Sequence, residues 1–197
     1  MGNYYSLTAS LPALSFTNPD GAISTDDFME RCRPWLNEDK WLELSRVSLE
    51  AACDPAPEAE IGALVFLAPP DAFGKFRMWD TQFRNELARR RTGGRGDFTP
   101  RYVADMDGDL PAQTARCFEA ANPLEKAAAM DRLRWNKLES LGALHESDWD
   151  FLCIYKLKTE LLAKWRKRTA EKGERDFESV LRAVVSGGGA PDKMKKE

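Results

Sequence analysis

Histidine occurs once in these 197 residues, at His145. Metal sites built on imidazole usually use two or more, and a His-dependent triad has here a single candidate base. Cysteine is sparse too: Cys32, Cys53, Cys117 and Cys153 stand far apart, with no C-x-x-C pair. That spacing argues against zinc ligation and against a disulfide scaffold, and it predicts buried free thiols in a reducing compartment. No apolar run approaches the roughly 18 residues that span a bilayer. The longest, 61–68, is interrupted by Gly62. The opening MGNYYSLTASLPALSF lacks the basic start and unbroken apolar stretch of a secretion signal. Ser6 after Met-Gly fits a myristoylation pattern, but that pattern is short and unspecific. An excess of one charge is also lacking. The formal net charge is −3, so no global field draws the molecule onto nucleic acid. These absences predict a soluble protein with no metal, no cofactor and no small-molecule substrate.

What is present is ordinary for a folded domain, with 43% hydrophobic and 31% charged residues. The first segment, YYSLTASLP, is ambiguous between a strand and a helical turn. Asn18, Pro19, Asp20 and Gly21 form a turn cluster. Ser24 caps a short helix with Phe28, Cys32 and Trp35, distorted near its end by Pro34. Asn37 starts another, carrying Trp41, Leu44, Val47 and Leu49 as far as the connector DPAPEAE. A long helix follows from about Asp71 to Arg91, with Phe73, Phe76, Trp79, Phe83 and Leu87 in an arc roughly 120° wide. Asn122 and Pro123 open another helix, with Leu124, Ala127, Met130, Trp135, Leu138 and Leu141 on one side until Gly142. Ser147 caps the next. There Phe151, Ile154, Tyr155, Leu157, Leu161, Leu162 and Trp165 share an arc of roughly 160°. A last helix after Gly173 carries Phe177, Val180, Leu181 and Val184, and residues 186–197 read as a disordered tail. The expectation is an all-α bundle of six to seven helices over residues 1–185. Its possible lobes are 1–54 plus 61–110, and 111–185.

Two motifs are weaker than they look. TGGRGDFTP is glycine-rich, but it follows a helix and lacks the Lys-Ser/Thr pair of a phosphate-binding loop. Asp105, Asp107 and Asp109 alternate like calcium ligands. Counted from Asp105, however, Leu110 stands where such a loop needs glycine and Arg116 where it needs glutamate. An acidic turn before a helix is the simpler account.

The charge is sorted along the chain. Residues 20–60 hold eleven acidic and four basic side chains. Residues 75–95 hold seven basic and two acidic, and residues 156–175 eight basic and three acidic. Solvated helix faces explain such runs, and so does a basic surface that docks an acidic partner. Arg84, Arg89, Arg90 and Arg91, with Arg166, Lys167 and Arg168, are the candidates for that surface. Three charges fall inside apolar arcs: Asp80, Arg134 and Lys158. A charge that faces a core must snorkel out or find a partner. At least one of the two cations is expected to pair with a carboxylate such as Asp80 or Glu139.

Several segments in order carry a resemblance to a known family. YYSLTASLPALSF, DDFMERC, FRNELARRR, NPLEKAAAMDRLRWNKLESL, LHESDWDFLCIYKLKTELLAKW and EKGERDFESVL together resemble an uncharacterised bacterial family encoded among genes of V/A-type ATPases. Those operons lack the usual gene for the central-stalk adaptor, the all-helical funnel that seats the rotor shaft on the membrane ring of proteolipids. The block with Trp135, Lys137, His145, Tyr155, Lys158, Leu161 and Trp165 is the most specific part. The resemblance implies an all-helical protein similar to that funnel-shaped adaptor. This chain is much shorter and has room for only some of the adaptor's helical repeats. The partners implied are rotor-stalk and proteolipid-ring subunits, with no direct membrane span and no nucleic acid. The implied location is the cytoplasmic side of the inner membrane. A transient assembly or regulatory factor of the same ATPase is the alternative, and an enzyme using His145 or Cys153 is a distant third.

Overall fold

The computed structural model describes residues 4–50, 71–93, 108–166 and 182. Seven α-helices lie in these stretches: α1 Tyr5–Ala9, α2 Thr25–Cys32, α3 Glu38–Arg46, α4 Ala72–Arg91, α5 Leu110–Phe118, α6 Pro123–Gly142 and α7 Trp149–Arg166. A 3₁₀ turn at Arg33–Trp35 holds Pro34 directly after α2. No strand occurs among the described residues, and the fold is all-α. The expected helix after Gly173 and the expected tail lie outside the described residues, apart from Arg182.

Local chemistry sets most helix starts. The side chains of Ser24, Asn37, Asp71 and Asn122 each accept the backbone N–H three residues on, at 3.0, 2.9, 2.6 and 2.8 Å. Glu125 completes the α6 start by accepting from Ala121 N–H. The cap of α7 is Asp148, whose Oδ1 accepts Phe151 N–H at 2.9 Å. Ser147, expected in that role, instead uses its carbonyl to hold Tyr4 N–H at 2.9 Å. The ambiguous first segment is therefore a helical turn pinned to the α6–α7 connector, with Leu7 in the core.

The core gathers around α7, which packs against α2, α4 and α6. Leu152, Cys153, Ile154, Tyr155, Leu157, Leu161 and Leu162 are all buried. The buried set runs almost right round the helix, wider than the predicted arc, because three helices cover it. On α4, Phe76, Trp79, Phe83 and Leu87 are buried as the periodicity predicts. Trp79 stacks on Phe83 with ring centroids 5.4 Å apart. Leu124 departs from its expected stripe and is 58% exposed, in a first turn of α6 that is exposed throughout. Cys32, Cys117 and Cys153 are buried free thiols. Burial pushes the Cys32 thiol up to about 12 and raises that of Cys153 as well.

Helix α3 ends at Arg46, before the expected limit, and Val47 is already extended. The reason lies in α7. Lys156 Nζ donates to the carbonyls of Leu44, Ser45 and Val47 at 3.1, 3.0 and 2.5 Å. Glu160, one turn on, accepts Leu49 N–H at 2.9 Å and the Ser48 hydroxyl at 3.2 Å. A cation supplied from another helix takes the terminal carbonyls of α3, and the chain leaves the helix there.

Candidate partner-binding surface

Asp80 and Arg134, each of which falls inside an apolar stripe, meet directly across α4 and α6. Arg134 Nε donates to Asp80 Oδ1 at 2.8 Å, while Arg84 Nε donates to Oδ2 at 2.6 Å. The other arm of Arg134, Nη1, reaches Asp131 Oδ1 at 3.0 Å. Lys164 of α7 lies 2.9 Å from Oδ1 and 2.7 Å from Oδ2 of the same carboxylate. The result is an alternating chain, Arg84, Asp80, Arg134, Asp131, Lys164, that crosses three helices. Arg134 also lies over the Phe83 ring, 4.8 Å from its centroid. Lys158 belongs elsewhere. It pairs with Glu139 at 2.7 Å near the surface, and its ammonium lies over Trp135.

The arginines expected at a partner surface are largely engaged within the chain. Arg84 Nη2 also donates to Leu49 carbonyl at 2.7 Å. Arg89 grips Glu86 through two bonds of 2.8 and 2.7 Å. Arg90 joins Glu86 at 2.8 Å and Pro111 carbonyl at 2.7 Å, tying α4 to the start of α5. Arg91 is exposed and has no partner among the described residues. Arg166 donates to the carbonyls of Pro19, Ala22 and Ile23, closing the Asn18–Gly21 turn onto α7. Lys167 and Arg168 lie outside the described residues, as do Asp105, Asp107 and most of TGGRGDFTP.

Glu86 is buried at the centre of its triad. Arg89 above all, helped by Arg90, holds its carboxyl below the usual glutamate range against the opposing effect of burial. A carboxyl lowered on folding adds stability that is complete above its unfolded value and is lost as the pH falls through the folded one. Glu86→Gln is therefore expected to flatten acid unfolding below about pH 4. Urea titrations of both proteins between pH 7 and pH 3 check this. Parallel curves would show that the triad adds no pH-dependent stability.

A groove of about 430 Å³ runs between α5 and α6, with Trp79 of α4 in its floor. Its α6 wall includes Ala129, Arg132, Leu133, Asn136, Lys137 and Ser140, and its α5 wall Gln113, Arg116 and Cys117. The α6 positions follow the i, i+3, i+4 rhythm of one helix face over three turns, about 16 Å. Among the described residues, three cations line this groove and no carboxylate does.

No known family model, curated protein or solved structure matches this chain. Its chemistry must be read from the side chains themselves.

His145 is held by acids. Its Nδ1 lies 2.6 Å from Asp148 Oδ2 and its Nε2 lies 3.7 Å from Asp150 Oδ2. The second oxygens of both carboxylates serve helix starts: Asp148 caps α7, and Asp150 accepts Ala72 N–H at 3.1 Å. The imidazole thus braces the α6–α7 connector against the first turns of α4 and α7. It also borders a cavity of about 370 Å³ with Tyr155, Lys158 and Glu139. Cys153 is buried and its thiol is raised, so the thiolate a nucleophile would need is disfavoured.

Two structural charges lie outside the candidates named from the sequence. Asp131 falls inside the apolar stripe of α6, four residues from both Ala127 and Trp135, so the helical spacing that marks Arg134 marks it as well. Lys156 lies outside the predicted apolar arc, and no local pattern links it to carbonyls more than a hundred residues earlier. Arg116 and Arg132 carry no signal either, because neither belongs to a basic run.

Proposed function

We propose that this chain is a non-enzymatic central-stalk adaptor of a bacterial V/A-type ATPase. It would link the rotor shaft to the membrane proteolipid ring in ion-coupled ATP hydrolysis or synthesis. The observation that carries this reading is the ordered series of segments over residues 4–185 that resembles the family encoded in such operons. The mechanical features of the fold are compatible with it. An adaptor under torque needs long helices that do not slide past one another. Here α4, α6 and α7, of 20, 20 and 18 residues, are cross-tied by the Arg84–Lys164 charge chain. No described helix is long and apolar enough to cross a membrane. In this reading the ring is gripped through its cytoplasmic loops, by shape and charge complementarity.

The test is copurification. Tagged full-length protein, expressed in its own bacterium and taken through a detergent density gradient, is expected to migrate with the ATPase in a fixed stoichiometric ratio. Substoichiometric recovery that washes away would identify a transient assembly or regulatory factor instead. Recovery free of every ATPase component would overturn both readings.

A further inference from the structure

We infer that the groove between α5 and α6 is a docking site for an acidic amphipathic helix of a partner protein. This inference does not depend on the ATPase reading. Arg116 stands on one wall and Arg132 on the other, and neither makes an ion pair among the described residues. Arg132 is steadied instead by the Phe16 ring, 4.2 Å from its centroid. Elsewhere in the described chain Arg84, Arg90 and Arg134 are matched with carboxylates, and Arg166 with three carbonyls. Two cations without an ion pair among the described residues, on facing walls of a groove lined by no described acid, call for carboxylates from a partner.

The floor narrows the chemistry further. Trp79 in the floor, with Leu133 and Ala129 of the α6 wall, gives the groove an apolar strip, while Gln113, Asn136 and Ser140 supply neutral hydrogen-bonding groups. An amphipathic helix matches this layout: its apolar i, i+3, i+4 face lies on the strip and its flanking glutamates or aspartates reach both walls. The groove length of about 16 Å corresponds to three helical turns. A nucleic-acid strand would satisfy the two arginines, but Trp79 is only 5% exposed and offers no free face for a base to stack on. The same groove also separates two roles of arginine in this chain. Arg90 at the C-terminal end of α4 ties that helix to α5, and the two facing the groove are available for contact.

The probe is a labelled synthetic helix of about 14 residues with leucine on one face and glutamate on both flanks. Fluorescence anisotropy with the full-length chain is expected to show binding that weakens as salt rises. Arg116→Glu and Arg132→Glu are each expected to weaken it about tenfold. Neither residue has an ion pair among the described residues, so circular dichroism should show these variants folded. Should one fail to fold, Asn136→Glu on the exposed rim sets a carboxylate one turn from Arg132, which repels the acidic helix and neutralises that wall with both arginines still in place. Three results would overturn the proposal: no binding, equal binding by the charge-reversal variants, or equal binding of a helix bearing lysine in place of glutamate. Self-association in sedimentation that Arg116→Glu abolishes would overturn it too, by assigning the groove to a second copy of the chain.

Discussion

Replacing Arg134 with methionine is expected to lower the unfolding free energy by about 3–5 kcal/mol, the range for breaking a buried ion pair by removing one partner. The side chain of Arg134 is only 14% exposed, and it bridges two carboxylates that are buried more deeply still. Without it, Asp80 keeps only Arg84 and Asp131 keeps only Lys164. Each remaining cation is 41% exposed and must be drawn further out of solvent to compensate. Methionine fills similar space over Phe83, so the loss reports on charge more than on a cavity. Arg134→Lys separates the two contributions. It keeps the charge but lacks the fork that reaches Asp80 through Nε and Asp131 through Nη1, and it should cost about 1–2 kcal/mol. Lys158→Met is the control. Its partner Glu139 is 55% exposed, and a pair of that kind is worth at most about 1 kcal/mol. Urea denaturation of the three variants gives the order. If Arg134→Met and Lys158→Met proved equally mild, the charge chain would not be holding α4, α6 and α7 together.

Lys156→Met is expected to have the next largest effect, and a different character. The lysine is 5% exposed, with its ammonium among three carbonyls at the end of α3 and Glu160 at 3.5 Å. Removal leaves those carbonyls short of a donor where water has little access, and it strands Glu160 without its cation. Each unsatisfied buried acceptor costs about 1–3 kcal/mol. Partial rearrangement of the α3 end should limit the total to roughly 2–4 kcal/mol. The damage should be local first. Hydrogen exchange is expected to accelerate in residues 38–50 well before the amides of α6 and the middle of α7 change. Uniform acceleration across all helices would mean that α3 and the extended segment after it are not a separately anchored unit.

The all-helical class and most element limits follow from nearest-neighbour chemistry. Asn37, Asp71 and Asn122 cap the helices that begin beside them, because the donor they satisfy lies three residues away. The α4 stripe of Phe76, Trp79, Phe83 and Leu87 is buried because an apolar face at helical spacing must be covered. Two departures from local expectation involve distant elements. Asp148 caps α7 in place of Ser147, whose carbonyl is taken by Tyr4. Helix α3 stops at Arg46 because Lys156 waits at its end.

The paucity of histidine, the scattered cysteines and the lack of a long apolar run are properties of composition alone. That Asp80 and Arg134 need partners is also legible in the sequence, since a charge within an apolar stripe must be neutralised or escape to water. Which partners they take is not. Asp80 and Arg134 are 54 positions apart, and nothing along the chain ranks one distant counter-charge above another. Packing decides it by bringing α4, α6 and α7 within reach of one guanidinium. The same holds for the basic runs. Linear density marks Arg89 and Arg90 as a surface. Glu86, three and four residues earlier on α4, pairs with both by helical spacing. Packing adds its burial and the Arg90 bond to Pro111. It also leaves Arg116 and Arg132, isolated in sequence, facing each other across a groove. Charge sorting along a chain is one-dimensional, whereas electrostatic complementarity depends on which charges remain unmatched once the helices have packed.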